Sequence, residues 1–303
     1  MFKSVYSGIT MRSIWTWLLI LLQFLIPKLL MTGIMYRLSR IKIKPIKNFL
    51  INRFISLYGV NTNEVKNSIP DGFDTFNAFF IRELVTDARK INLSTNTVSS
   101  PADGNLTIFG DIQNHKLIQA KQHAYSLQNL LRQNTNDLKE FMNGKYATIY
   151  LAPYNYHRIH APIDGIITKI HHIPGSLFSV NQNTASRIPR LFVRNERIAC
   201  YIKTQSTEVI LLFIGALNVG SIYTPWTGIT KPDGKGELVD LKLKQGKSRE
   251  IKKGDLLGWF NMGSTVITVY PEDFLSWDNN LKYNSNILVG DNLGQLMHEP
   301  INQ

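Results

Sequence analysis

The sequence predicts an α+β protein in which amphipathic helices precede a β-rich, barrel-sandwich-like core. Three observations carry that reading. The first 63 of 303 residues contain nine Lys and Arg and no Asp or Glu, whereas the rest of the chain sets 25 basic against 22 acidic side chains, a balance of +3 out of the total +12. Apolar residues recur at helical spacing through that basic end. From about Val98 the chain breaks into short Val-, Ile- and Tyr-rich runs punctuated by Gly and Pro, without regular β-α alternation, which argues for an antiparallel or barrel-like core. The division predicted is a basic amphipathic helical segment at 1–63 and a strand-rich core at 64–303.

Helices are predicted near 13–26, 28–39 and 45–58. The uninterrupted apolar stretch from Ile14 to Leu22 ends at Gln23 and Pro27-Lys28, short of the roughly 20 residues that a spanning helix needs. No small-residue cleavage site follows it, and sequence rich in Lys and Arg continues to Arg53, unlike a secretory signal. These segments suit the interface of an anionic bilayer, with Trp15 and Trp17 at headgroup depth. A helical cap on a soluble core is the alternative. So apolar a basic end is a poor surface for tracking phosphodiesters, and nucleic acid is not an expected partner.

Asp74 to Leu84 opens with an N-cap candidate, Asp74, and spaces Phe76, Phe79 and Phe80 for a short core helix. Strands are predicted at 105–112, 146–151, 165–173, 197–203, 208–215 and 265–270, with helices at 126–132 and 137–142. Pro101-Ala102-Asp103-Gly104 is echoed by Pro162-Ile163-Asp164-Gly165, each entering a strand, although turn chemistry alone can explain both. Lys252 to Gly258 reads as a further tight turn into a strand. Such turns are similar to the barrel-sandwich hairpins of biotinyl and lipoyl carriers, a likeness of fold alone.

The single cysteine, Cys200, can neither close an intramolecular disulfide nor supply a multi-Cys zinc site, which suits a reducing, cytosol-facing location. The chemistry candidates are Asp103, His157, His160 and Ser264. His157 and His160 stand three residues apart with no third ligand nearby, so catalysis or structural hydrogen bonding suits them better than a metal. His171-His172 falls in a predicted hairpin and reads as a surface feature. Gly263-Ser264 is pinned between two strand-forming runs. A glycine before a hydroxyl residue leaves its carbonyl open to attack and tolerates strained torsions, as an N-to-O acyl shift requires.

Taken together, Phe79-Phe80-Ile81-Arg82-Glu83-Leu84, Ser100-Pro101-Ala102-Asp103-Gly104, Tyr156-His157-Arg158-Ile159-His160-Ala161-Pro162, Gly175 to Asn181, Leu191 to Arg197, Val219-Gly220-Ser221-Ile222 and Met262-Gly263-Ser264-Thr265 occur in one order between residues 75 and 270. In this the chain resembles the bacterial membrane-associated, pyruvoyl-dependent phosphatidylserine decarboxylases. Leu22 to Leu29 is similar to the N-terminal membrane segment of those enzymes. Met262 departs from the family's usual Leu or Phe, and Ala161 from a larger or polar residue.

The resemblance implies a cofactor made from the chain itself. Ser264 would attack the Gly263 carbonyl, and cleavage would leave 1–263 and 264–303 as a heterodimer, with a dimer of heterodimers as one further arrangement. The new N-terminus would be a pyruvoyl group derived from Ser264. Asp103, His160 and Ser264 match the residues that drive this step, with Asp164 as a rival carboxylate whose motif does not match. The pyruvoyl would form a Schiff base with phosphatidylserine in an anionic membrane, giving phosphatidylethanolamine and CO2. His157 is the candidate proton donor. The expected location is peripheral, on the cytoplasmic face of the cell membrane, and no metal is implied.

Overall fold

A computed structural model describes residues 20–120, 123–217, 221–232, 234 and 236–297. Half of the helix predicted at 13–26, with Trp15 and Trp17, lies outside the described residues, while 20–25 are helical. The next two helices are Lys28–Leu38 and Lys44–Tyr58. Pro45 opens the latter, where its missing N–H costs nothing, and Gly59 closes it at φ +63° with its N–H on the Ile55 carbonyl. One face buries Ile51 and packs Phe54 against Phe73, Phe76, Phe79 and Phe80. The outward faces stay apolar, with Leu25 81% exposed and Phe49 66%. No helix among the described residues is long and apolar enough to cross a membrane.

The short core helix is Phe76–Phe80. Its cap is Thr75 and not Asp74: Thr75 takes the extended conformation and its Oγ1 accepts from the Ala78 N–H at 3.0 Å. Ser126 caps Leu127–Leu131 in the same way, and the segment predicted as a helix at 137–142 is a 3-10 helix, Thr135–Phe141.

Six long strands form the centre of one antiparallel sheet, in the spatial order Gly165–Ile173, Arg197–Lys203, Glu208–Gly215, Ser264–Tyr270, Lys145–Leu151 and Gly104–Asp111. The strand Ser264–Tyr270 is buried at every residue and hydrogen-bonded on both edges, with Ser264 opposite Gly215 and Leu151. A four-stranded sheet holds Arg158–His160 beside Leu256–Phe260. The α+β expectation holds, but the sheets are open and no barrel closes among the described residues.

The Pro-x-Asp-Gly echo is structural. The Val289 N–H donates to Asp103 and the Lys253 N–H to Asp164, at 2.9 and 2.7 Å. The Gly290 N–H donates to the Ser100 carbonyl and the Gly254 N–H to the Ala161 carbonyl. The two copies also exchange bonds, Ser99 N–H to Pro162 and His160 N–H to Pro101. Each aspartate therefore anchors a distant Gly-Asp turn, and this pairing fixes the backbone on either side of His160.

His171 and His172 are buried, 7% and 6% exposed, contrary to the surface position expected. Their strand is flanked by Arg197–Lys203 on one edge and Val239–Asp240 on the other, and His172 Nε2 meets the buried Glu196 carboxylate.

Candidate active site

The site begins where Leu256–Phe260 runs antiparallel to Arg158–His160, with the Phe260 N–H on the His157 carbonyl at 3.3 Å. Asn261 then turns the chain. Its N–H and Nδ2 bond to the Ser221 carbonyl and Oγ at 3.0 and 2.7 Å, and its Oδ1 accepts from Asn77 Nδ2. Met262 and Gly263 follow with φ of +92° and +40°. Nothing crowds the Gly263 Cα, so its backbone torsion and not lack of space favours glycine there. Met262 is strained in the same sense without that freedom, and its side chain packs on the aromatic cluster of the Lys44–Tyr58 helix.

Ser264 is the first residue of its strand and is 1% exposed. Its Oγ has no hydrogen-bond partner among the described residues. A buried hydroxyl with no partner among the described residues thus directly follows two residues of positive φ.

His160 is held at both ring nitrogens. Nδ1 lies 2.6 Å from the Gly254 carbonyl and Nε2 3.0 Å from the Tyr156 hydroxyl. A carbonyl only accepts, so Nδ1 carries the proton and Nε2 is the basic nitrogen, receiving the Tyr156 O–H. Gly254 sits at φ +89°, a backbone conformation that favours glycine and that aims its carbonyl at the ring. Burial lowers the His160 pKa, the Gly254 bond opposes this, and Asp103 acts in the raising direction. Burial pushes Tyr156 up to about 12.

Asp103 is 2% exposed and its carboxylate is held by Arg89 Nε at 2.9 Å, by Arg89 Nη2 and by the Val289 N–H. Arg89 also meets Glu64 at 3.0 Å. Among the described residues no hydrogen bond joins Asp103 to His160 or His160 to Ser264. The tautomer of His160 is thus set by the Gly254 carbonyl, and Asp103 bears on the ring through space. Asp164, the rival carboxylate, holds Lys252 and the Lys253 N–H at the half-exposed far side of the same turn.

His157 is fully buried, with Nδ1 2.8 Å from the Asn155 carbonyl and its ring 4.1 Å from that of Phe80. Its Nε2 has no partner among the described residues. Burial, then the charge of Arg82, pulls its pKa down to about 3. Arg89, Tyr156, Gly254 and Asn261 had no role in the sequence reading. Tyr156 stood in a quoted motif, but a backbone carbonyl or a partner 14 residues away leaves no local signal.

A cavity of about 690 Å³ lies against the strand, lined in part by Thr148, Tyr150, Val180 and Thr265. Strand alternation directs the Ser264 side chain to the opposite face from Thr265. Segment 178–180 joins this cavity to the exposed helix: Phe178 packs on Phe24, and the Ser179 N–H donates to Gln23. Among the described residues no three His, Cys, Asp or Glu cluster as a metal site.

A family model for phosphatidylserine decarboxylase matches residues 76–295, which takes in the whole site from Phe79 to Ser264. The chain belongs to the phosphatidylserine decarboxylase family. A second family model, PSD, matches residues 18–59. Among relatives named phosphatidylserine decarboxylase proenzyme, that of Francisella philomiragia is 43% identical over 90% of this chain and 96% of its own. Those of Alcanivorax borkumensis and Nitrosococcus oceani are each 38% identical over 93% of this chain, covering 97% and 92% of theirs. The N-terminal helices are thus shared with the phosphatidylserine decarboxylase family along with the catalytic core.

Proposed function

We propose that this chain converts phosphatidylserine to phosphatidylethanolamine and CO2, using a pyruvoyl group made from its own Ser264. The observation that carries the reading is the Ser264 hydroxyl, buried and without a partner among the described residues behind the strained Met262-Gly263 turn, in a chain whose relatives are named as proenzymes. Ser264 Oγ adds to the Gly263 carbonyl carbon and the Gly263–Ser264 C–N bond breaks, giving an ester and a free amine. Loss of the Ser264 Cα proton and of the Gly263 carboxylate leaves dehydroalanine, which water converts to the pyruvoyl group with release of ammonia. His160 Nε2 accepts the hydroxyl proton once Tyr156 yields, and the Asp103 charge favours the imidazolium.

The pyruvoyl group supplies the electron sink for the pair left when CO2 departs. His157 handles the protons. Neutral, and with Nε2 unpartnered among the described residues, it relays a proton to the carbon that CO2 has left. The cleavage products stay together because Ser264–Tyr270 is hydrogen-bonded on both edges and Val289 is tied to Asp103. The basic helices with outward Leu25, Leu30 and Phe49 bind an anionic membrane surface peripherally, on the cytoplasmic face.

Denaturing mass spectrometry of purified, active protein tests this. Two chains are expected, 1–263 and 264–303, the second beginning with pyruvoyl, and Ser264→Ala should stay uncut and inactive on phosphatidylserine vesicles. An active enzyme made only of the uncut chain would overturn the reading.

A further inference from the structure

Residues 79–83 form a cradle for the strip 154–158. The Phe80 ring packs at a 43° tilt on His157, the Ile81 carbonyl accepts from Arg158 Nε at 2.9 Å, and Glu83 pairs with Arg158 at 3.1 Å. Arg82 Nη2 donates to the Tyr154 and Asn155 carbonyls at 2.8 and 3.2 Å. The Asn155 carbonyl is also the acceptor for His157 Nδ1, so the guanidinium and the imidazole share one oxygen.

Arg82 is 4% exposed, yet it enters no ion pair among the described residues, and its Nε and Nη1 have no partner there. The carboxylates within electrical reach, Asp103 and Glu64, are both engaged by Arg89. An unneutralised buried guanidinium is costly to a fold, and a neutral side chain could have filled the same space. It lies over the Phe79 ring at 5.4 Å, and both its Nη2 bonds and its charge bear on the strip that carries His157.

We infer that Arg82 is a positioning residue for His157, holding the imidazole neutral, protonated at Nδ1 and bare at Nε2. The inference rests on the proposed role of His157 as the proton carrier of decarboxylation. The shared carbonyl can only accept, which fixes the proton on Nδ1. A second proton on Nε2 would set an imidazolium against a guanidinium at a fully buried ring packed on Phe80. Arg82 is the charged group that bears on the ring, and its effect runs in that direction. His157 therefore meets substrate neutral, and a proton that reaches Nε2 is held reluctantly and passes on readily to the carbon from which CO2 has left.

The test compares Arg82→Gln and Arg82→Lys in the full-length, self-cleaved enzyme. Three readouts are the extent of cleavage by mass, kcat/KM for a short-chain phosphatidylserine against pH, and the ¹⁵N shifts of His157. In the parent enzyme His157 should show the neutral Nδ1–H pattern down to about pH 5. Arg82→Gln should still cleave, while the His157 midpoint and the acid limb of kcat/KM move up together by roughly one pH unit or more. Arg82→Lys keeps the charge but loses the fork, so its midpoint should stay low while kcat falls roughly tenfold. A cleaved Arg82→Gln enzyme with both midpoint and limb unmoved overturns the inference. Should that variant not fold, the parent spectrum decides: an Nε2–H or charged His157 at pH 7 overturns it. His157→Ala turning over at the parent rate would instead remove the His157 role itself.

Discussion

The Tyr156 hydroxyl donates to His160 Nε2 at 3.0 Å, the nitrogen proposed to take the Ser264 proton. The rings are stacked within 23° of parallel, so the contact is held by packing as well as by the hydrogen bond. In the continuous chain the base is therefore capped, and cleavage requires that bond to be given up. A net hydrogen bond contributes about 1 kcal/mol. Tyr156→Phe keeps the stacked ring and should cleave roughly 2- to 10-fold faster, followed by the appearance of the 264–303 chain with time. Slower cleavage would mean that the hydroxyl relays the proton instead of blocking it.

Asp103→Asn removes the carboxylate that both Arg89 and the Val289 N–H use. Breaking a buried pair from one side costs about 3–5 kcal/mol, so the thermal midpoint should fall clearly, and cleavage should slow because His160 loses a favourable charge. Unchanged cleavage in a destabilised variant would confine Asp103 to structure.

His157→Ala should cleave at Gly263 to a substantial extent yet decarboxylate roughly 10²- to 10⁴-fold more slowly, the usual range for a general acid or base. His160→Ala should stop at the uncut chain. The opposite pattern in the two variants would exchange their roles.

Acid should destabilise the fold through these histidines. Folded His157 binds a proton only near pH 3, and His160 is also lowered, whereas the unfolded chain binds them near 6.5. Between those values the unfolded state holds more protons, so stability is full above about pH 6.5 and declines as pH falls toward 3, by on the order of 5 kcal/mol for His157 alone. Urea midpoints from pH 8 to 4 measure this, and His157→Phe should flatten part of the slope.

Removing residues 1–58 should abolish most flotation with anionic vesicles. High salt should release the full-length chain only partly, since ionic attraction is screened and the inserted apolar area is not. Equal flotation with and without these residues would end the assignment of this segment to the membrane.

Much of this protein follows from local sequence. The Val- and Ile-rich runs specify strands whose observed bounds agree with the predicted ones to within a residue or so, because a buried antiparallel strand declares itself by composition and by the turns that end it. The charge asymmetry set the helical segment apart, and the Gly263-Ser264 turn was recognisable from a glycine and a hydroxyl pinned between strands. Tertiary structure alone decided what each site residue touches. Arg89 reaches Asp103 through its guanidinium from 14 residues away, while Val289 reaches Asp103 from 186 and Gly254 reaches His160 from 94 through backbone groups that have no residue signature. His171 and His172 became core because a neighbouring strand and Glu196 covered them. Pairing between strands distant in sequence brings such partners together, and it depends on the whole sheet closing in one register.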